Sequence, residues 1–391
     1  MRMQRTMLAA AVAAVTLAPA AQAAEQVKLG LMLALSGPLA IVGGEMQRGA
    51  DLALATLGSK LGGVPVTVIP GDDKAQPSEG VQVASKMIDQ DKVDIVTGLT
   101  SSNVLIAVAP SFADAKITMV GGLAGASEFA GKGCNPYLFI STFENEDWDM
   151  VMGNYMNRKG YKNVFFIGQD YQAGWEQIGG ARKTYTGKVA GQVFTPLAQL
   201  DFAAELAQIR AANPDAVFGF MVGQGGIAFV KQYAQAGLQK IPFLGTDAMA
   251  TPLQWPALGD AALGMTVGTN WSYDLDNPEN KAFVAAFRDK YKRQPSIFAA
   301  LQYDAIMLID GAVRDVHGKI EDKDALHAAL RKADFKSIRG PFKFDNNQYP
   351  IDNIYIEQVQ KDAQGQLTLK LLETGATAWR DLYHDQCPMK W

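Results

Sequence analysis

Short apolar runs alternate with helix-length amphipathic segments from Val27 almost to the end of the chain. No other feature constrains the fold as strongly. Strands that alternate with helices pair in parallel and bury both sheet faces beneath those helices. Strands are predicted at 27–35, 64–69, 93–97, 117–121, 163–168, 189–194, 215–222, 241–245 and 264–270. Helices are predicted at 43–59, 77–90, 101–114, 146–159, 172–187, 201–212, 225–237, 279–292, 296–316 and 322–332. Gly62 and Gly63 are read as the stop of the first helix. The expected fold class is α/β, with two doubly wound parallel-sheet lobes. One set of four strands ends near Cys134, and a second set runs to about residue 268. Residues 136–147, 268–276 and 338–356 break the rhythm and are read as three crossings between the lobes. Lobe one is then expected over 24–142 plus 271–345, and lobe two over 143–270 plus 346–391. The tail is predicted to form a hairpin, 354–360 with 367–373, around a turn from Asp362 to Gln366.

At 391 residues the chain exceeds the size at which one core keeps growing. Its start reads as a leader: Arg2 and Arg5, an apolar run from Met7 to Leu17, and the small-x-small site Ala21-Gln22-Ala23. A signal peptide over 1–23 implies export to the periplasm, and its apolar run is too short to span a bilayer. The leader carries two positive charges and no acid, so the remainder is more acidic than the net −4 of the whole. That balance argues against nucleic acid as a partner. Only Cys134 and Cys387 remain for redox chemistry. In an oxidising compartment they are expected to form one disulfide, with two buried thiols as the alternative. With three His in the chain, they are too few for a structural zinc site, and no metal is expected.

Three loops carry candidate chemistry. The segment Val27–Asp73 is a βαβ unit whose first strand ends in the open loop Ser36-Gly37-Pro38. In open α/β sheets, ligands bind beyond the carboxyl ends of the strands. Thr100-Ser101-Ser102 opens a helix, where the residues can serve simply as a cap or as an anion site built on unpaired N–H groups. Gly223-Gln224-Gly225-Gly226 opens another helix, and Asp247 ends the next strand. That pattern mimics the dinucleotide fingerprint and raises an NAD-dependent oxidoreductase as a rival. Against it, the third glycine is missing, the motif falls in the second half, and an exported chain rarely meets NAD. There is no G-x-S-x-G elbow for hydrolysis.

The chain resembles the branched-chain amino-acid binding proteins, the type I periplasmic substrate-binding components of ABC transporters. The likeness rests on LSGPLAIVGGEMQRGADLAL (35–54), Asp72-Asp73, VASKMIDQDKVDIVTGLTSSNVLIAVAP (83–110), DYQAGWEQI (170–178), LDFAAELAQIRAANPDAVF (200–218), FVKQYAQAGL (229–238) and YDAIMLID (303–310). No single motif is very specific; their order and spacing are. The resemblance implies a monomeric clamp, not an enzyme and without a cofactor. It closes on a small carboxylate and delivers it to a membrane permease; a sensor built on the same clamp is an alternative. It assigns ligand contact to Ser36, to Thr100, Ser101 and Ser102, and to the loop Leu123, Ala124 and Gly125 on lobe one. On lobe two it assigns Tyr171, Phe220, Met221 and Asp247, while Phe143 and Trp148 are read as packing. Gly125 stands where amino-acid binders carry a Thr, and Gly223, Gly225 and Gly226 stand where larger side chains project. Both departures imply more room and less polar grip, as in the subgroup that binds benzoate and phenylpropanoid acids. Asp247 points the other way, toward the ammonium of a branched-chain amino acid, unless it accepts from a ring hydroxyl.

Overall fold

The computed structural model describes residues 25–390. The expected leader lies outside the described residues.

The first sheet contains β1 (Val27–Leu33), β2 (Lys60–Leu61), β3 (Val64–Asp72), β4 (Ile95–Gly98), β5 (Thr118–Gly121) and β6 (Leu138–Ile140), in the order β2-β3-β1-β4-β5-β6. Its strands are parallel except β2, which pairs antiparallel with β3. Between them run α1 (Ala40–Thr56), α2 (Pro77–Lys86) and α3 (Ser102–Asp114). Six of the seven residues of β1 are buried, the continuous apolar pattern of a strand covered on both faces.

The second sheet contains β7 (Asn163–Gln169), β8 (Lys188–Thr195), β9 (Ala216–Phe220), β10 (Phe243–Thr246), β11 (Thr266–Thr269), β12 (Asp352–Lys361) and β13 (Leu367–Trp379). The order is β13-β12-β11-β10-β9-β7-β8. The tail hairpin β12–β13 joins antiparallel along β11. Its helices are α4 (Asp147–Arg158), α5 (Gln172–Thr184), α6 (Ala203–Ala212), α7 (Gly223–Gln235) and the single turn α8 (Trp255–Leu258).

Two helices that follow β11, α9 (Pro278–Tyr291) and α10 (Ile297–Asp315), return to the first sheet, and α11 (Lys323–Lys332) packs on α10. The buried Glu45 of α1 anchors them, pairing with the Arg293 guanidinium and accepting from Ser296 Oγ at 2.9 Å. Gly49 lets the helices touch, since a Cβ there would lie 2.2 Å from the Ala299 carbonyl oxygen.

Three local expectations differ from the structure. First, α1 ends at Thr56, and Gly58 takes the positive φ of +64° just beyond its end. Gly62 and Gly63, at φ +56° and +85°, instead form the two-residue turn of the β2–β3 hairpin. Second, residues 138–140, inside the expected first crossing, form the edge strand β6. Gln348 covers that edge, its carbonyl accepting from Ile140 N–H at 3.0 Å and its Nε2 donating to the Leu138 carbonyl at 2.6 Å. Third, residues on either side of the tail hairpin, expected in the second lobe, also contact the first. Gln348 does so before β12, and Cys387, bonded to Cys134, does so after β13.

The three crossings meet at one buried side chain. Arg339 donates to the carbonyls of Ser141 and Thr142 and pairs with Asp304 at 3.1 Å and Asp352 at 3.0 Å. Asn270 of the second crossing donates to Thr142 O at 2.6 Å and to Asp352 at 2.7 Å.

Candidate functional site

Each sheet reverses direction once. In the first sheet β1 lies between β3 and β4, so the chain moves to one side and then to the other. In the second, β7 lies between β8 and β9 in the same way. Such switch points leave a crevice at the carboxyl ends of the strands, where the outgoing loops diverge. The loops after β1 and β4 face those after β7 and β9. The lobes touch around this place. Gln172 N–H donates to Asn103 Oδ1 at 2.8 Å, and Ser127 N–H donates to Glu176 Oε1 at 3.1 Å.

Between them lies a small cavity of about 40 Å³. Lobe one supplies Leu39, Val42, Thr100, Ser102, Leu123 and Ala124, with Ile297 and Phe298 from the start of α10. Lobe two supplies Tyr171, Ala173, Gln177, Phe220, Val222 and Ala248. Phe143, Asn145 and Trp148 close it from the crossing and the first turn of α4. No Asp, Glu, Lys or Arg is among these wall residues.

Six of the eleven residues expected at the site line this cavity: Thr100, Ser102, Leu123, Ala124, Tyr171 and Phe220. Ser102 Oγ accepts from Asn145 Nδ2 at 3.0 Å, which leaves its O–H to donate. Thr100 Oγ1 is committed within lobe one, accepting from Ala34 N–H at 3.1 Å and lying 3.5 Å from Met46 Sδ. Tyr171 caps α5 in an extended conformation and stacks on Phe220, with centroids 6.3 Å apart and planes 26° apart. Burial, then the nearby Glu176, pushes the Tyr171 hydroxyl pKa up.

The other five stand elsewhere. Ser36 Oγ donates to Asp72 Oδ2 at 2.7 Å, and Asp72 also accepts from the Leu35 and Ser36 N–H groups. The loop is thus pinned by the end of β3. Ser101 is the extended cap residue of α3, with its Oγ buried and without a partner. Met221 is fully buried in the core. Asp247 is buried just after β10, and burial pushes its carboxyl up to about 7.

Gly125 does not enlarge the cavity. A Cβ there would lie 1.9 Å from the Phe143 carbonyl oxygen, and the Gly125 carbonyl accepts from Asn145 N–H at 2.8 Å. The glycine makes room for the crossing, not for a ligand. The glycines of the α7 loop act likewise. Gly223 (φ +66°) abuts the Pro38 carbonyl of lobe one, and Gly226 abuts the Met221 carbonyl. The space a dinucleotide phosphate would need in front of Gly223 is therefore occupied by Pro38.

Phe143 and Trp148, expected as packing, are cavity walls, with ring centroids 4.2 Å apart and planes tilted by 35°. Asn145 and Gln177 were not expected at all. The sequence signal for Gln177 is weak: it follows Ala173 by four residues and so shares its helix face. Asn145 had no periodic signal, because it lies in an irregular crossing.

Beside the cavity is a run of buried acids. Glu144, Asp147 and Asp149 are held well above the usual carboxylate range by burial and then by one another and nearby acids. Glu176 is raised by burial, against hydrogen bonds from Asn145, Gln172 and Ser127.

A two-lobed α/β clamp with a cavity at facing switch points is the architecture of a solute-binding protein. The chain belongs to the periplasmic binding protein family, which it matches over residues 26–365, and it is of the ABC-transporter solute-binding type. Its architecture is that of the type I members. Among relatives, the Leu/Ile/Val-binding protein homolog 6 of Brucella melitensis is 28% identical, over 93% of this chain and 95% of that protein. Among solved structures, an ABC-transporter solute-binding protein of R. palustris in complex with benzoate superposes with a TM-score of 0.87. It is 31% identical and covers 92% of this chain and 98% of its own. A second, from Rhodopseudomonas palustris BisB5 with 3,4-dihydroxybenzoic acid, superposes at 0.86 with 29% identity, covering 92% and 99%.

Proposed function

We propose that this protein, exported to the periplasm and acting as a monomer, captures a small aromatic carboxylate between its lobes and delivers it to an ABC permease. The ligand is of the benzoate or phenylpropanoid type. The observation that carries this reading is the wall: five aromatic side chains (Phe143, Trp148, Tyr171, Phe220, Phe298), a few neutral polar groups, and no charged side chain. The carboxylate is assigned to the first turn of α3, whose N–H groups lack intrahelical partners and carry partial positive charge. Ser102 O–H supplies a further donor. Each hydrogen bond to the ionised group is worth about 1.5–3 kcal/mol, and burying the ring adds about 25 cal/mol per Å². The ligands of the two R. palustris structures support the same reading.

The name of the Brucella relative favours a branched-chain amino acid instead. That ligand would bring an ammonium group into a site whose walls hold no carboxylate, and an unpaired buried charge is costly. A thermal-shift panel separates the two. A ligand that binds only the native state raises the melting point, by about 2.7 kcal/mol of stability at a hundred times its Kd. Benzoates, hydroxybenzoates or phenylpropanoids are expected to raise it by several degrees, and leucine, isoleucine and valine to leave it unchanged. A shift with leucine and none with any aromatic acid would overturn the aromatic assignment.

A further inference from the structure

We infer that the cavity is built for an aromatic acid bearing a ring hydroxyl, and that Gln177 is the residue that selects it. This rests on the aromatic-acid reading above and adds a second polar contact to it. Gln177 lies on α5, lines the cavity and is only 2% exposed. Its Oε1 is buried with no hydrogen-bond partner among the described residues. Trp148, another wall residue on the adjoining α4, also leaves its indole Nε1 buried and unpartnered. Of the other polar walls, Thr100 is held by Ala34, and Ser102 accepts from Asn145 while keeping its O–H for the carboxylate. A buried amide without a partner is unfavourable in the empty protein and is relieved by a ligand that completes its bonds. A hydroxyl suits either group, because it donates one hydrogen bond and accepts others. It can donate to the Gln177 carbonyl oxygen or accept from the Trp148 N–H. A bare ring leaves both unpaired, and sites that hydrogen-bond a substrate hydroxyl discriminate strongly against analogues lacking it. The role once open to Asp247, accepting from a ring hydroxyl, falls instead to Gln177.

The test is calorimetric titration of the full mature protein and of Gln177→Met with benzoate, 3-hydroxybenzoate and 4-hydroxybenzoate. Ser102→Ala serves as a control at the carboxylate end. The parent protein is expected to bind one hydroxybenzoate at least about tenfold more tightly than benzoate. Gln177→Met, a substitution of similar length, is expected to abolish that preference while keeping benzoate affinity. Ser102→Ala is expected to weaken all three acids together and keep the preference. Equal affinity of the parent for benzoate and both hydroxybenzoates overturns the inference but leaves the aromatic-acid reading standing. So does a preference that survives in Gln177→Met. Failure of all three acids to bind the parent overturns the inference, and the phenylpropanoids of the thermal-shift panel then decide the aromatic-acid reading. The parent's own affinity ratio decides the matter even if Gln177→Met does not fold.

Discussion

Asp247 and Glu357 share the interior of the second lobe without a basic partner. Burial pushes Asp247 up to about 7, and burial followed by the Asp247 charge pushes Glu357 well above the carboxylate range. Such a group keeps its proton in the native state at pH values where the unfolded chain has lost it. Between about pH 4 and 7 the native state therefore binds more protons, and stability falls as pH rises. Glu144, Asp147 and Asp149 act in the same direction. Asp72 acts in the opposite one. Burial works against its ionisation, but hydrogen bonds from Ser36, Lys74 and Leu35 outweigh it and hold its pKa low. Its contribution is present at neutral pH and lost only as pH falls through the acid range. Scanning calorimetry should therefore give a higher Tm at pH 5 than at pH 8. Asp247→Asn should flatten the slope near pH 7 and raise the Tm at pH 8 by a few degrees, at about 2–4 °C per kcal/mol. A Tm that climbs steadily from pH 5 to 8 would contradict this account.

At the scale of elements, the cleft is made where helices begin. The starts of α3, α5 and α7 all lie at the switch points, and their first turns carry the unpaired N–H groups. What allows them to converge is backbone contact across the cleft. Gly223, at the start of α7, would place a Cβ 2.4 Å from the Pro38 carbonyl of the opposite lobe. Its φ of +66° also costs an L-residue about 1–2 kcal/mol. The contact with Pro38 exists only while the lobes are together, so opening the clamp relieves it. Gly223→Ala should leave a folded protein whose ligand affinity drops about tenfold, equivalent to about 1.4 kcal/mol. Solution scattering in the presence of ligand should show a larger radius of gyration than for the parent. Unchanged affinity would mean that α7 and Pro38 need not meet in the bound state.

At the scale of the molecule, the lobes are joined by crossings that converge on Arg339. Its side chain is 4% exposed, and its guanidinium is held by two carboxylates and two carbonyls from separate stretches of chain. Removing one partner of a buried ion pair leaves the others unpaired and costs about 3–5 kcal/mol. Arg339→Met should lower stability by that amount in urea unfolding; a loss below about 1 kcal/mol would show that the crossings hold without it. The Cys134–Cys387 bond fastens the tail to the first lobe across 253 residues of chain. Closing a loop that long removes much of the entropy of the unfolded state, which favours the native one.

The two-lobed α/β class, most of the element order and the crossings were legible in the sequence. They follow from short-range sterics: a period of two or of 3.6, a turn glycine, a polar loop at a strand's end. Ligand contact at Thr100–Ser102 was implied by the family resemblance, because local chemistry there serves a helix cap as well. Even the α1 stop failed only locally, because Gly58 and Gly62–Gly63 are all turn glycines and the hairpin that sorts them depends on β3. The role of Gly125 was not legible, because the atom that excludes a side chain there belongs to Phe143, on another segment. Nor was it legible that the charge of Asp247 acts on Glu357, more than a hundred residues away in sequence, or that Phe143, Asn145, Trp148 and Gln177 converge on one cavity. Local chemistry shapes each strand, helix and loop. Which side chains face the ligand is decided by how two separately wound sheets close on one another.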